Sequence, residues 1–326
     1  MGRRNHPFVE AELRRREPSD TSRSLKSYTS ESRGFVQFVR EARHLAIDLA
    51  GDVPGQVALA VERLHEIERL ASERLDMRLE GLKMLDVGAG QMALQMTYFS
   101  QRNEVVGIDL DVIVHGLHFP AYFEMLRRNG AKRVVKTVGR KALLIDARYQ
   151  RELARQLGAH VSRPRVARMD ASNMTFEDRS FDFVYSLVVF QHLDDPATPL
   201  GEMSRVLKPG GGLYLDFLLY TGRTGSHDVR YFTGKDAALP SWAHLRPQFG
   251  GMVHPNAHLN RLRLPEWRQL LEARLPGCEL VLIQPEADRL EPEARTLKDN
   301  GELADYSLDE LLTSKVLVLW RKPSER

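Results

Sequence analysis

The segment MLDVGAGQMALQM, residues 84–96, runs from a short apolar stretch through a glycine turn into a helical pattern. Gly88 and Gly90 remove the side chains that would hold a ligand away from the backbone, and a helix beginning just beyond them presents unpaired N–H groups to an anion. That turn is a binding site for a carboxylate or a phosphate. Counting G-x-G-x-x-G from Gly88 puts Ala93 at the last position, which satisfies the relaxed dinucleotide fingerprint. Asp86, one residue before the strand runs into the turn, suits an ammonium group better than a pyrophosphate. Asp109 ends a second apolar run, Val105-Val106-Gly107-Ile108, 19 positions after Gly90, where a carboxylate can accept both hydroxyls of a ribose. An adenosine-type ligand follows from either reading of the turn.

Further motifs come in order along the chain: Arg168-Met169-Asp170-Ala171, then Phe181-Asp182-Phe183-Val184-Tyr185-Ser186, Gln191-His192-Leu193, and Arg205-Val206-Leu207-Lys208-Pro209-Gly210-Gly211. With the glycine turn and Asp109, this series resembles the class I S-adenosylmethionine-dependent methyltransferases over residues 82–218, especially the small-molecule and glycan-pathway branch. The resemblance implies S-adenosylmethionine as cofactor. It places Asp86, Gly88 and Gly90 against the methionine part, Asp109 and Leu110 at the ribose, Asp170 and Ala171 at the adenine, and Ser186 and Leu187 near the sulfur. Met92 departs from the pattern, since many members carry a third glycine there. Lys208-Pro209-Gly210-Gly211 reads as a turn leading into a strand.

Methyl transfer from a sulfonium is an in-line displacement, so the protein mainly aligns donor and acceptor and excludes water. A hydroxyl acceptor adds a need for a general base, and histidine serves near neutral pH. His192, after the fourth apolar run, and His227, on what reads as a flexible loop after the fifth, are the candidate bases. His244, Arg246, Asn260 and Arg263 are candidate acceptor contacts, and nearby Trp242 and Trp267 are of a type that stacks on sugars. The expected acceptor is a small-molecule or glycan-type hydroxyl compound, neutral or anionic. His254 and His258 are four apart, but Pro255 lies between them and no Glu completes a metal-binding pattern, so no metal site is expected. Two other functions fit the glycine turn: a nicotinamide-dependent oxidoreductase, and a catalytically silent S-adenosylmethionine-binding partner of another enzyme.

The elements that must position these residues are legible as an alternation of apolar runs with helical patterns, the signature of a mostly parallel sheet with crossover helices. The runs are 83–87, 104–108, 165–169, 181–188 and 212–217, followed by 279–284 and 315–320, which succeed each other with little helix between and suit an antiparallel pair closing the sheet. The expected fold is therefore α/β, a Rossmann-like seven-stranded methyltransferase sheet with an antiparallel strand at its end. Residues 1–33 read as a disordered arm, 34–81 as a helical extension, and 82–326 as the methyltransferase domain. Within the extension, Phe35 to Leu49 and Val57, Val61, Leu64, Ile67 and Leu70 recur at helical spacing. Within the domain, residues 111–164 form a helical insertion, with patterns near 116–128 and 140–157 ended by Gly130 and Gly158, and 218–262 an acceptor-side insertion.

Composition bounds the remaining functions. With 326 residues, 42% hydrophobic and 28% charged, the chain can bury a large core. Its 47 basic and 44 acidic residues leave a net charge of +3, so general nucleic-acid binding is not expected. Seven basic residues lie between Arg127 and Lys141 without an acidic one, a run that suits a solvated face or one turned to a phosphate-bearing acceptor, a lipid surface or RNA, and the lack of an interleaved aromatic weakens single-stranded nucleic-acid binding. The single Cys278 excludes an internal disulfide and suits a reducing compartment. No apolar stretch is long enough to cross a membrane and no secretory pattern opens the chain, so a cytoplasmic location is expected.

Overall fold

The computed structural model describes residues 51–90, 92–110, 123, 144–159, 161, 166–232 and 239–324. The expected arm 1–33, the helical pattern 35–49, the pattern near 116–128 apart from Phe123, and the basic run 127–141 lie outside the described residues.

Helix α1, Val53–Leu75, opens the described chain, with Asp52 capping the Gly55 N–H at 3.1 Å and Pro54 in the first turn. Its buried residues include Val57, Leu64, Ile67, Leu70 and Leu75, an apolar stripe facing the sheet. Strand β1, Lys83–Val87, is followed by helix α2, Leu94–Phe99, and strand β2, Glu104–Asp109. Helix α3, Ile145–Leu157, ends at Gly158 in a left-handed conformation, as its sequence pattern requires. Strands β3, Val166–Arg168, and β4, Phe181–Leu187, precede helix α4, Ala197–Val206, and strand β5, Leu207–Leu218. Helix α5, Leu264–Arg274, strand β6, Glu279–Ile283, helices α6, Ala287–Asp299, and α7, Leu308–Leu312, and strand β7, Lys315–Arg321, complete the described elements.

The seven strands form one sheet in the order β3-β2-β1-β4-β5-β7-β6. The pairs from β3 to β5 are parallel, and β7 runs antiparallel to both β5 and β6. The antiparallel strand thus sits inside the sheet's end, inserted between β5 and β6. The connection from β6 to β7 also differs from its sequence reading: α6 and α7 fill it, because Leu290, Ala294, Leu297, Leu311 and Leu312 bury a satellite core around Trp242. The Lys208-Pro209-Gly210-Gly211 turn is absorbed into β5 as an irregularity, the register stepping from Phe181↔Leu207 to Phe183↔Gly212.

Alternation of side chains builds two cores, one on each face of the sheet. Leu213, Leu215, Phe217, Val316, Val318 and Trp320 join Leu200, Met203 and Trp267 on one face. Phe183, Tyr185, Tyr214, Leu317 and Leu319 meet α1 and α2 on the other. Trp267 stacks on Phe217 at 4.1 Å between ring centroids and is 1% exposed. Truncating so buried an indole costs about 3–5 kcal/mol. Trp242 is fully buried, its Nε1–H donating to the Leu311 carbonyl at 3.1 Å. Neither tryptophan is exposed to stack on a sugar, a correction to the sequence reading: both complete cores that the flat sequence does not reveal.

Candidate functional site

The parallel strands present their carboxyl ends at one edge of the sheet, the position where ligands bind in open α/β folds. Backbone pairing draws the ends of β1 and β2 together: the Gly88 and Ala89 N–H groups donate to the Ile108 carbonyl at 2.9 and 3.1 Å. Gly88 has φ +83°, and a Cβ there would stand 2.3 Å from Val189 Cγ2, so no other residue fits. Gly90 has φ +68°, and its N–H donates to Asp109 Oδ2 at 2.8 Å, which fastens the turn to the end of β2. The helical insertion holds the other side of the turn. Gln150 of α3 donates to the Met92 carbonyl at 2.9 Å, and Met92 packs against the core shared by α1, α3 and Leu94. The residue that departs from the family pattern is thus an anchor for the insertion.

Asp86 is fully buried and neither carboxylate oxygen has a hydrogen-bond partner. Burial raises its pKa well above the usual carboxylate range, with the Asp109 charge adding to the rise. The Tyr185 hydroxyl and Gln95 amide stand close enough to favour the ionised form without closing a hydrogen bond to it. A buried carboxylate in this state lacks a cation, and an ammonium group supplies one.

Asp170 lies just past β3, brought to the same edge by the Met169 N–H, which donates to the Asp109 carbonyl at 2.9 Å. Its Oδ1 accepts the Ser172 N–H at 2.8 Å and its carbonyl the Asn173 N–H at 3.1 Å, a turn that leaves Ala171 half-buried. Leu110 is half-buried after β2 and Leu187 at the end of β4. Ser186 is fully buried and donates to the Val87 carbonyl at 2.7 Å, tying β4 to the end of β1.

After β4 and β5 the structure brings two sequence candidates together. The rings of His192 and His227 meet edge to face, 5.2 Å between centroids at 88°. His192 Nδ1 lies 2.7 Å from the His258 carbonyl and therefore carries the proton, so its Nε2 accepts from the Gln191 amide at 3.2 Å. Both nitrogens of His192 are occupied. Burial lowers the pKa of both rings, that of His227 to about 4. His227 does not sit on a loose loop, as its sequence suggested. It is 7% exposed, has φ +54°, and closes a run of tight turns in which its N–H donates to the Thr224 carbonyl at 3.1 Å. Buried Thr221 and Gly222, packed against residues 310–313, pin that run.

The four acceptor candidates are spread over several contacts. His244 Nε2–H donates to the Tyr220 carbonyl at 2.7 Å, and burial lowers its pKa to about 4. Asn260 donates to the Phe190 and Leu193 carbonyls at 2.9 and 3.0 Å, clamping the segment that carries His192. Arg246 pairs with Glu302 at 2.6 Å and lies over the Phe249 ring at 4.4 Å. Arg263 forms a fork with Glu310 at 2.8 and 2.9 Å, against the Tyr306 ring. The guanidinium groups of both arginines are engaged within the fold. Sequence reasoning missed Gln150 and the Arg63–Asp216 pair described below, since none of these residues belongs to a local motif, and it gave Gln191 no role of its own within Gln191-His192-Leu193. Among the described residues no cluster of His, Cys, Asp and Glu is arranged to hold a metal ion, and no helix is long and apolar enough to cross a membrane.

Residues 121–215 match the family described as a methyltransferase domain. The chain is 24% identical over 152 residues to the mitochondrial ubiquinone biosynthesis O-methyltransferase of Dictyostelium discoideum, covering 45% of this chain and 39% of that protein. It is 26% identical over 225 residues to a ubiquinone biosynthesis O-methyltransferase of Xanthomonas oryzae pv. oryzae, covering 69% of this chain and 75% of the other. Among solved structures, Haemonchus contortus phosphoethanolamine N-methyltransferase 2 in complex with S-adenosyl-L-methionine aligns with a TM-score of 0.41 at 18% identity, covering 79% of this chain and 53% of that one.

Proposed function

Since this chain belongs to the class I S-adenosylmethionine-dependent methyltransferases, we propose that it passes the cofactor's methyl group to a hydroxyl of a small polar or glycan-type acceptor. The observation that carries the cofactor's placement is Asp86, a buried carboxylate with neither oxygen bonded, at the end of β1 beside a turn where only glycine fits. The amino-acid end of S-adenosylmethionine suits both features: its ammonium answers Asp86, and the side-chain-free glycines let that end approach the backbone. A nicotinamide dinucleotide would set a pyrophosphate against the same turn and leave Asp86 uncompensated. Asp109, already holding the Gly90 N–H, would take the ribose, Asp170 and Ala171 the adenine, and Leu110, Ser186 and Leu187 the rest of the cofactor's surface.

The bound cofactor supplies an electrophilic methyl on a sulfonium. The protein's part is to align the acceptor oxygen, keep water out and take up the hydroxyl proton. His227 is the group best suited to take it: burial keeps the ring neutral, the proton-accepting form, and the ring of His192 holds it in place. His192 is a positioning residue, because both its nitrogens are occupied. A hydroxyl-bearing acceptor is further supported by the buried acceptor atoms Gln191 Oε1 and His244 Nδ1, which lack a donor in these same segments. The relatives named for ubiquinone biosynthesis lend support to methylation at oxygen.

Calorimetry with S-adenosylhomocysteine and with NAD, followed by transfer of a labelled methyl group to a panel of phenolic, polyol and amine acceptors, tests the proposal. Binding of the homocysteine product and turnover with hydroxyl compounds are expected. Binding of NAD alone would overturn it. Tight cofactor binding with no turnover would favour a silent partner protein, and turnover confined to amines would refute the hydroxyl acceptor.

A further inference from the structure

Val188 follows β4 with φ +59°, a left-handed conformation that is a genuine outlier for a β-branched residue and persists only where surrounding contacts enforce it. The enforcing group is Asp216 of β5. The Val188 N–H donates both to the Asp216 carbonyl at 2.9 Å and to its Oδ1 at 3.0 Å. Asp216 is fully buried, and its carboxylate is gripped from the far side of the chain by Arg63 of α1, whose Nη2 donates to Oδ1 at 2.5 Å and also to Oδ2. The Tyr214 hydroxyl reaches the same carboxylate at 3.4 Å. The left-handed turn at Val188 delivers the next side chain, Val189, onto Gly88, at the one place in the glycine turn where a Cβ would collide.

These contacts form a continuous line from the amino-terminal helix to the cofactor turn: Arg63 fixes Asp216, Asp216 fixes Val188, and Val189 closes on Gly88. We propose that Asp216 is a positioning residue for cofactor binding, acting through Val188 to hold the segment after β4 against the glycine turn. The inference rests on the methyltransferase reading of that turn. A purely structural role, an ion pair that pins α1 to the sheet, would need the charge pair but not the bond to Val188.

Asp216→Asn separates the two, because it keeps an oxygen for the Val188 N–H while removing the charge that Arg63 grips. Asp216→Ala removes both the side-chain oxygen and the charge, leaving Val188 only its main-chain bond to residue 216, and Val189→Ala shortens the end of the line without touching a buried charge. Each variant is titrated with S-adenosylhomocysteine by calorimetry, and its melting temperature is recorded without ligand. Asp216→Ala should weaken binding about tenfold or more, Val189→Ala about threefold or more, and Asp216→Asn should stay within about threefold of wild type, even if both Asp216 variants melt lower. Wild-type affinity in Asp216→Ala, or equal losses in the Ala and Asn variants, would overturn the proposal. If Asp216→Ala does not fold, unchanged binding by Val189→Ala overturns it and weakened binding beside a near-normal Asp216→Asn supports it. Failure of the wild-type protein to bind S-adenosylhomocysteine would refute the methyltransferase reading instead.

Discussion

Replacing Asp86 with asparagine keeps the side chain's volume and removes its charge, and it should make the free protein more stable while making it a poorer binder. In the wild-type chain the carboxylate is fully buried with no hydrogen bond to either oxygen, and burial followed by the Asp109 charge raises its pKa. A carboxyl whose pKa is higher folded than unfolded holds its proton more tightly when folded. The stability it contributes is complete at low pH and is lost as pH rises through the folded-state pKa. An amide suffers no such loss. A buried unbonded polar group costs about 1–3 kcal/mol, and each kcal/mol moves the melting point of a large domain by roughly 2 °C. Asp86→Asn should therefore melt a few degrees higher at neutral pH without ligand, and the gain should shrink as the solution is acidified. With ligand the sign reverses. Removing one member of a buried charged pair costs about 2–5 kcal/mol, so the dissociation constant of S-adenosylhomocysteine should rise at least ~30-fold. Thermal melts from about pH 5 to about pH 8 and calorimetry at neutral pH read both effects. A variant that melts lower than wild type and binds the homocysteine product equally well would refute the assignment of Asp86 as the ammonium partner.

Asp109→Ala should lose most cofactor affinity, because it removes both the proposed ribose acceptor and the bond that fastens Gly90 to β2, whereas His258→Ala should leave calorimetric affinity unchanged. Equal affinities in Asp109→Ala and wild type would sink the ribose assignment. His227→Ala should reduce kcat by about 10²–10⁴ with cofactor affinity intact. Since the pKa of His227 is lowered to about 4, the acidic limb of the wild-type rate profile should fall there and not at the ordinary histidine value near 6.5. Arg263→Ala should destabilise the fold by about 1–2 kcal/mol in a denaturant titration, since it takes the guanidinium from a Glu310 carboxylate that is only 2% exposed and leaves it the Ser307 N–H and hydroxyl. A change confined to acceptor KM would instead place Arg263 at the acceptor.

Much of the sheet and of the cofactor edge can be read from the chain alone, because their signals are local. A glycine turn after an apolar run, acids at the strand ends and a helix stopped by Gly158 depend on backbone conformation and spacing within a few residues. The seven strands and the placing of Asp86, Asp109 and Asp170 at one edge follow from those signals and the rule that parallel strands share an end. Sequence did not reveal what depends on contacts between distant segments. Arg63 meets Asp216 across 153 positions, and nothing in either neighbourhood marks the pair. The insertion of β7 between β5 and β6, the burial of Trp242 by α6 and α7, and the engagement of Arg246 and Arg263 by carboxylates come from packing, which periodicity does not encode. The meeting of His192 with His227 is of the same kind. Residue type and position after the fourth and fifth apolar runs named both as candidate bases. Only the tertiary structure tells them apart, bonding both nitrogens of one and burying the ring of the other.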